Sequence, residues 1–82
     1  MKIQAEVSLY PLRQDDLTKP IQQFVESLKN ENFKVKTESM SSVILGDSKI
    51  IFQSLQKAFE QTAQKYEVVL TAKISNACPE IK

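Results

Sequence analysis

An α+β sandwich, with a four-stranded antiparallel sheet and two helices on one of its faces, is predicted by three features of this 82-residue sequence. Its opening stretch alternates apolar and polar residues with period two. Two later segments repeat their apolar residues at helical spacing. The elements follow one another as strand, helix, strand, strand, helix, strand. Two right-handed crossovers around a central hairpin turn that order into a ferredoxin-like βαββαβ fold.

The first strand is the clearest element. Ile3, Ala5, Val7 and Leu9 alternate with Lys2, Gln4, Glu6, Ser8 and Tyr10, the pattern of a strand with one buried face. Pro11 has no backbone N–H to give to a ladder, so pairing is expected to stop there. After the polar link Leu12–Asp16, either Asp16 or Thr18 can cap a helix, and Pro20 is tolerable in its first turn. Leu17, Ile21, Phe24, Val25 and Leu28 form its apolar stripe, which predicts a helix over 17–31.

Residues 33–38 alternate again, with Phe33, Val35 and Thr37 toward the core and Lys34, Lys36 and Glu38 away from it. After a polar break, Ser42–Leu45 reads as a third strand, hairpin-linked to the second although neither Asn-Gly nor Asp-Gly marks the turn. Gly46 is read as relieving a tight turn and Asp47 or Ser48 as capping the second helix. That helix carries Ile51, Phe52, Leu55, Phe59, Thr62, Ala63 and Tyr66 in one broad stripe. Val68, Leu70, Ala72 and Ile74 then alternate with polar neighbours as a fourth strand, and a polar tail follows from Ser75.

With both helices on one side, the other face of the sheet is bare. Gln4, Glu6, Ser8, Tyr10, Lys36, Glu38, Ile44, Val69, Thr71 and Lys73 are expected to line it. Their mixture of apolar and complementary charged groups suits a face that is covered, and a second copy would reinforce a small core.

Composition bounds the function. Eighty-two residues suit a single domain, 1–82, and a formal charge of +1 gives no electrostatic reason to expect nucleic acid or an anionic membrane. The absence of histidine removes an imidazole base and a histidine metal ligand. A single glycine rules out glycine-rich phosphate loops, and the single cysteine, Cys78, cannot form an internal disulfide. Neither a leader nor a run near the ~20 apolar residues of a membrane span is seen, so a cytoplasmic location is expected. No cofactor, metal or catalytic residue is expected.

Three stretches could carry chemistry. Ser8-Leu9-Tyr10-Pro11 is either a strand end with a proline stop or a pair of hydroxyls beside a ring on which a flat heterocycle can stack. The stretch from Thr37 to Ser42 is either turn chemistry or a rack of hydroxyls beside the pliable thioether of Met40. Glu6 and Glu38 could share the open face, where salt bridges to Lys36 or Lys73 are the simpler expectation.

With Ser8-Leu9-Tyr10-Pro11-Leu12 and Thr37-x-x-Met40-x-Ser42-x-Ile44-x-Gly46-Asp47 in view, the whole chain resembles the small ferredoxin-like thiamine-binding proteins of the YkoF type. In that family's pattern, Ser41 stands where glycine is usual and Ser42 where threonine is usual. The resemblance implies non-catalytic binding of thiamine or its hydroxymethylpyrimidine moiety, as carrier, buffer or sensor. Ser8, Tyr10, Glu38, Met40, Ser41 and Ser42 would form the site. It also implies homodimers or homotetramers through the open sheet face; a transporter component as partner is left open. The rival reading is a protein-interaction module of the same fold with no vitamin ligand. An acylphosphatase would need an arginine-cradled phosphate loop, and the one arginine, Arg13, lacks glycines around it.

Overall fold

The computed structural model describes residues 1–28, 33–37 and 41–77. The expected order is present: β1 (Lys2–Leu12), α1 (Thr18–Leu28), β2 (Phe33–Thr37), β3 (Ser42–Asp47), α2 (Ser48–Ala63) and β4 (Glu67–Ser75). The four strands pair antiparallel in the order β2-β3-β1-β4, and both helices pack on one side of the sheet.

The core follows from β1. Ile3, Ala5, Val7 and Leu9 are buried against Phe24 and Leu28 of α1, Ile44 of β3, and Ile51, Leu55 and Ala58 of α2. Each large aliphatic side chain so buried contributes about 1.5–3 kcal/mol by leaving water. The helices also meet directly, for Ser27 Oγ donates to Gln23 O at 2.8 Å and lies 3.1 Å from Gln61 Oε1.

Several expectations change. β1 continues through Pro11, which pairs with Val68, to Leu12, which pairs with Glu67. Among the described residues its pairing with β3 ends at Val7 and Ser42, and beyond that point the ladder shown is the one to β4. An edge position tolerates a residue with no N–H to donate. Ile44, expected on the open face, is fully buried on the helix side, because the register sets it opposite Ala5. Val43 and Leu45 alternate to the other side. β3 runs on through Gly46 and Asp47, so Gly46 sits in a strand opposite Ile3 and adopts no positive φ.

The helices are rotated relative to the expected stripes. In α2 the buried residues are Ile51, Leu55, Ala58 and Thr62. At about 100° per residue these share a narrow arc, and Phe52 lies roughly 90° round from its centre. Phe52 is accordingly 54% exposed. In α1 the buried set is Pro20, Phe24 and Leu28, while Leu17, which precedes the first turn, and Ile21 are exposed. Asp16 supplies the expected help at the start of α1, accepting from the Thr18 N–H at 2.9 Å. Of the core-side row of β4, Val68 and Leu70 are half-buried and pack on the core, but Ala72 and Ile74 are exposed. β4 is an edge strand, and the cover of the helices does not reach its last residues.

Asp47 is the N-cap of α2, accepting from the Lys49 N–H at 3.1 Å. The Met1 ammonium donates to its Oδ1 at 3.0 Å, and the Ser48 N–H donates to the Met1 carbonyl at 2.7 Å. The hydrogen bond from that ammonium, joined by its charge and by the Lys49 and Ile50 N–H groups, holds the Asp47 carboxyl below its ordinary value. At the other end of β1, Arg13 takes a left-handed φ of 56° and forms an ion pair with Glu67.

Candidate functional site

Directly opposed residues of an antiparallel pair point to the same face, so the register orders the open side into rows. Lys36, Val43, Glu6 and Lys73 form one cross-sheet row. The next holds Ser8 opposite Thr71, and after it come Tyr10 opposite Val69, then Leu12 opposite Glu67. Gln4, between Leu45 and Ser75, begins the series at the other end. Consecutive rows lie about 7 Å apart along the strands.

Three characters result. The Gln4 and Glu6 rows are polar and charged, and here a concavity of about 340 Å³ is lined by Gln4, Glu6, Lys73, Ile74, Ser75 and Ala77. The middle row is one of hydroxyls. Ser8 and Thr71 share it, and Ser41 joins from β3's leading end, for its Oγ donates to Glu6 Oε2 at 3.4 Å. The Pro11 end is apolar: Tyr10, Val69 and Leu12 are neighbours there and are 49%, 44% and 41% exposed.

Such a face can hold a flat, elongated, polar-edged ligand. Hydroxyls both donate and accept, so they match ring nitrogens and an amino group alike. The Tyr10 ring beside them offers a stacking surface, and its π-face also accommodates a cation.

Of the six residues expected at the site, Ser8, Tyr10 and Ser41 come together on this face. Ser42 does not join them. It is 5% exposed and sits opposite Val7 and Thr37, on the helix side of the sheet. Glu38 and Met40 lie outside the described residues. The arrangement adds Thr71, Gln4 and Lys73, which alternation places on the open face without marking them as a site, and Glu6, which was weighed there as one of a carboxylate pair. For Thr71 and Lys73 the signal is the period of β4, readable only once its register against β1 is known. Among the described residues, no helix is long and apolar enough to cross a membrane.

The model of the YKOF-related family matches residues 2–80. The chain belongs to that family. No curated protein sequence matches it. Among solved structures it is similar to a hypothetical protein from Methanocaldococcus jannascii, at 28% identity and TM-score 0.85, over 98% of this chain and 84% of that one. A Streptococcus pneumoniae protein matches at 24% identity and TM-score 0.85, over 99% of this chain and 90% of the other. A "putative thiamine biosynthesis/salvage protein" from Thermotoga maritima matches at 17% identity and TM-score 0.82, over 90% and 82% of the two chains. At such identities the last two likenesses establish the βαββαβ fold, and membership of the YKOF-related family rests on the family model.

Proposed function

We propose that this YKOF-related protein binds thiamine or its hydroxymethylpyrimidine moiety on the open face of its sheet, without catalysis, and serves as a carrier, buffer or sensor of that compound. The observation that carries the reading is the row of hydroxyls, Ser8 opposite Thr71 with Ser41 beside them, one step from the exposed Tyr10 ring. An aminopyrimidine needs acceptors for its amino group and donors for its ring nitrogens, and this row supplies both. Support also comes from the family and from the name of the Thermotoga maritima relative.

The same reading assigns the apolar Leu12 and Val69 beyond the Tyr10 ring to contact with a second copy, giving a homodimer or homotetramer through the open sheet face. A thermal-shift series with thiamine, hydroxymethylpyrimidine and unrelated vitamins tests the ligand. A specific ligand at about 100 times its Kd stabilises the folded state by about 2.7 kcal/mol, a clear rise in Tm. Unchanged melting with both pyrimidines would overturn the proposal and favour an interaction module with no vitamin ligand. Light scattering tests the assembly, and a lone monomer would contradict it.

A further inference from the structure

The two edges of the sheet are unequally protected. In the order β2-β3-β1-β4 the outer strands are β2 and β4, and an outer strand turns a row of backbone N–H and C=O groups away from the sheet. β2 is five residues long, and shortness itself limits pairing with other chains. β4 is nine residues long and holds no proline. Its register against β1 runs from Glu67 to Ser75 without a bulge. Among the described residues, no strand pairs with its outer side.

The helix side is least covered along this same margin. Ala72 and Ile74 belong to the core-facing row of β4, yet both are exposed. α2 packs on β4, and its two flanks differ. Gln61 lies on the flank that meets Ser27 of α1, and at about 100° per residue Phe52 and Phe59 fall on the opposite one. Phe52, which is half exposed, therefore borders the β4 margin. An unpaired ladder and uncovered apolar residues coincide there.

We propose that β4 pairs with β4 of a second copy, antiparallel about a two-fold axis at Leu70, so that two sheets become one of eight strands with all four helices on one face. Charge selects the occupant and the register. Pairing centred on Leu70 sets Glu67 opposite Lys73 of the partner subunit, and the two-fold axis repeats that pair. Both residues lie on the open face, and no other register joins them. Centring on Glu67 or on Lys73 would oppose like charges. Glu67 keeps its ion pair with Arg13 on its own side. On the helix side Val68 meets the partner's Ala72, and the two Phe52 flanks approach each other over the joint. The joint also extends the candidate site. The row of Ser8 and Thr71 continues into the partner's Val69 and the partner's Tyr10, so each row of hydroxyls ends on a ring from the other copy. This interface depends on no ligand and is separate from contact through the open face, which it leaves free.

Sedimentation velocity and light scattering on the wild type, Lys73→Glu, Glu67→Lys, an equimolar mixture of those two variants, and Ala72→Lys test the proposal. The wild type is expected to self-associate. Each charge reversal sets like charges across the joint twice and should weaken association roughly tenfold, with far-UV circular dichroism unchanged. Added salt should shrink that loss. In the mixture every joint between unlike variants regains two opposite-charge pairs, so association should return to the wild-type level. Ala72→Lys, at a position exposed in the single chain, should leave the fold intact and abolish pairing by placing an ammonium within the joint. A monomeric wild type would overturn the proposal. An oligomer that no variant weakens would also overturn it and leave the open-face contact as the whole assembly. Loss in both charge variants with no recovery on mixing would overturn the register at Leu70.

Discussion

Strand β1 serves two surfaces with alternate residues, and the two have opposite characters. Toward the helices, Ile3, Ala5, Val7 and Leu9 are buried in a continuous apolar cluster. Away from them, Gln4, Glu6, Ser8 and Tyr10 stand half-buried or exposed, each opposite a polar or apolar partner on β4. The same backbone hydrogen bonds hold both sets in place. A strand therefore lets the chain separate stability from recognition at single-residue resolution, because a step of one residue changes the face.

The sharpest way to break that separation is to substitute neighbours in β3. Ile44→Ala leaves a cavity in the core and is expected to cost about 2–5 kcal/mol of stability, measured by denaturant unfolding. Val43→Ala, one residue away on the open side, should cost about 1 kcal/mol or less. Equal losses at the two positions would contradict the assigned faces.

The next effect is on binding. Ser8→Ala and Thr71→Val remove hydroxyls from the middle row and should each weaken thiamine binding by about 1 kcal/mol, some fivefold, with Tm nearly unchanged. Calorimetry beside a thermal melt distinguishes this from general destabilisation. Ser42→Ala, on the helix side, should leave ligand affinity unaltered, and a loss there would restore it to the site.

A smaller effect belongs to Asp47, which sits where β3 enters α2. Its carboxyl is held below the ordinary value of 3.8 in the folded protein, chiefly by the Met1 ammonium. The stability it contributes is fully present above that ordinary value and is lost as pH falls through the lowered folded one. Asp47→Ala should lower the denaturant midpoint at neutral pH and flatten the acid limb of a stability–pH curve. An unchanged acid limb would contradict this role. Smallest of all is Arg13→Gly, which relieves a left-handed φ but gives up the exposed ion pair with Glu67 and loosens the unfolded chain. These terms oppose one another, and the melting midpoint is expected to move by no more than about 2–4 °C, the scale of about 0.5 kcal/mol in a domain of this size.

Much of this architecture was legible in residue order. Period-two alternation in 2–10 and 67–75, helical spacing in two segments, and Asp47 before a helix each led to an element that is present. What alternation could not supply was phase. Ser42–Leu45 is too short and too apolar to show which of its residues face the helices, and Ile44 was placed on the wrong side for that reason. The helix stripes failed in the same manner. Phe52 is large and apolar, so pattern reading draws it into the stripe, yet it is half exposed while the small Ala58, which pattern reading passes over, is fully buried in the core. For the candidate site, Ser8, Tyr10 and Ser41 were found through local motifs, whereas Thr71 and Lys73 enter through pairing across 63 and 67 residues of sequence, from Ser8 and Glu6 respectively. No local motif carries that information.

The most direct test of the account is a thiamine titration followed by backbone amide chemical shifts. The expected result is saturable change at Ser8, Tyr10, Ser41 and Thr71 and along the Glu6–Lys73 row, with α1 and α2 nearly unmoved. Shifts gathered on the helices, or none at saturating thiamine, would contradict the claim that the uncovered face of this sheet is the binding surface.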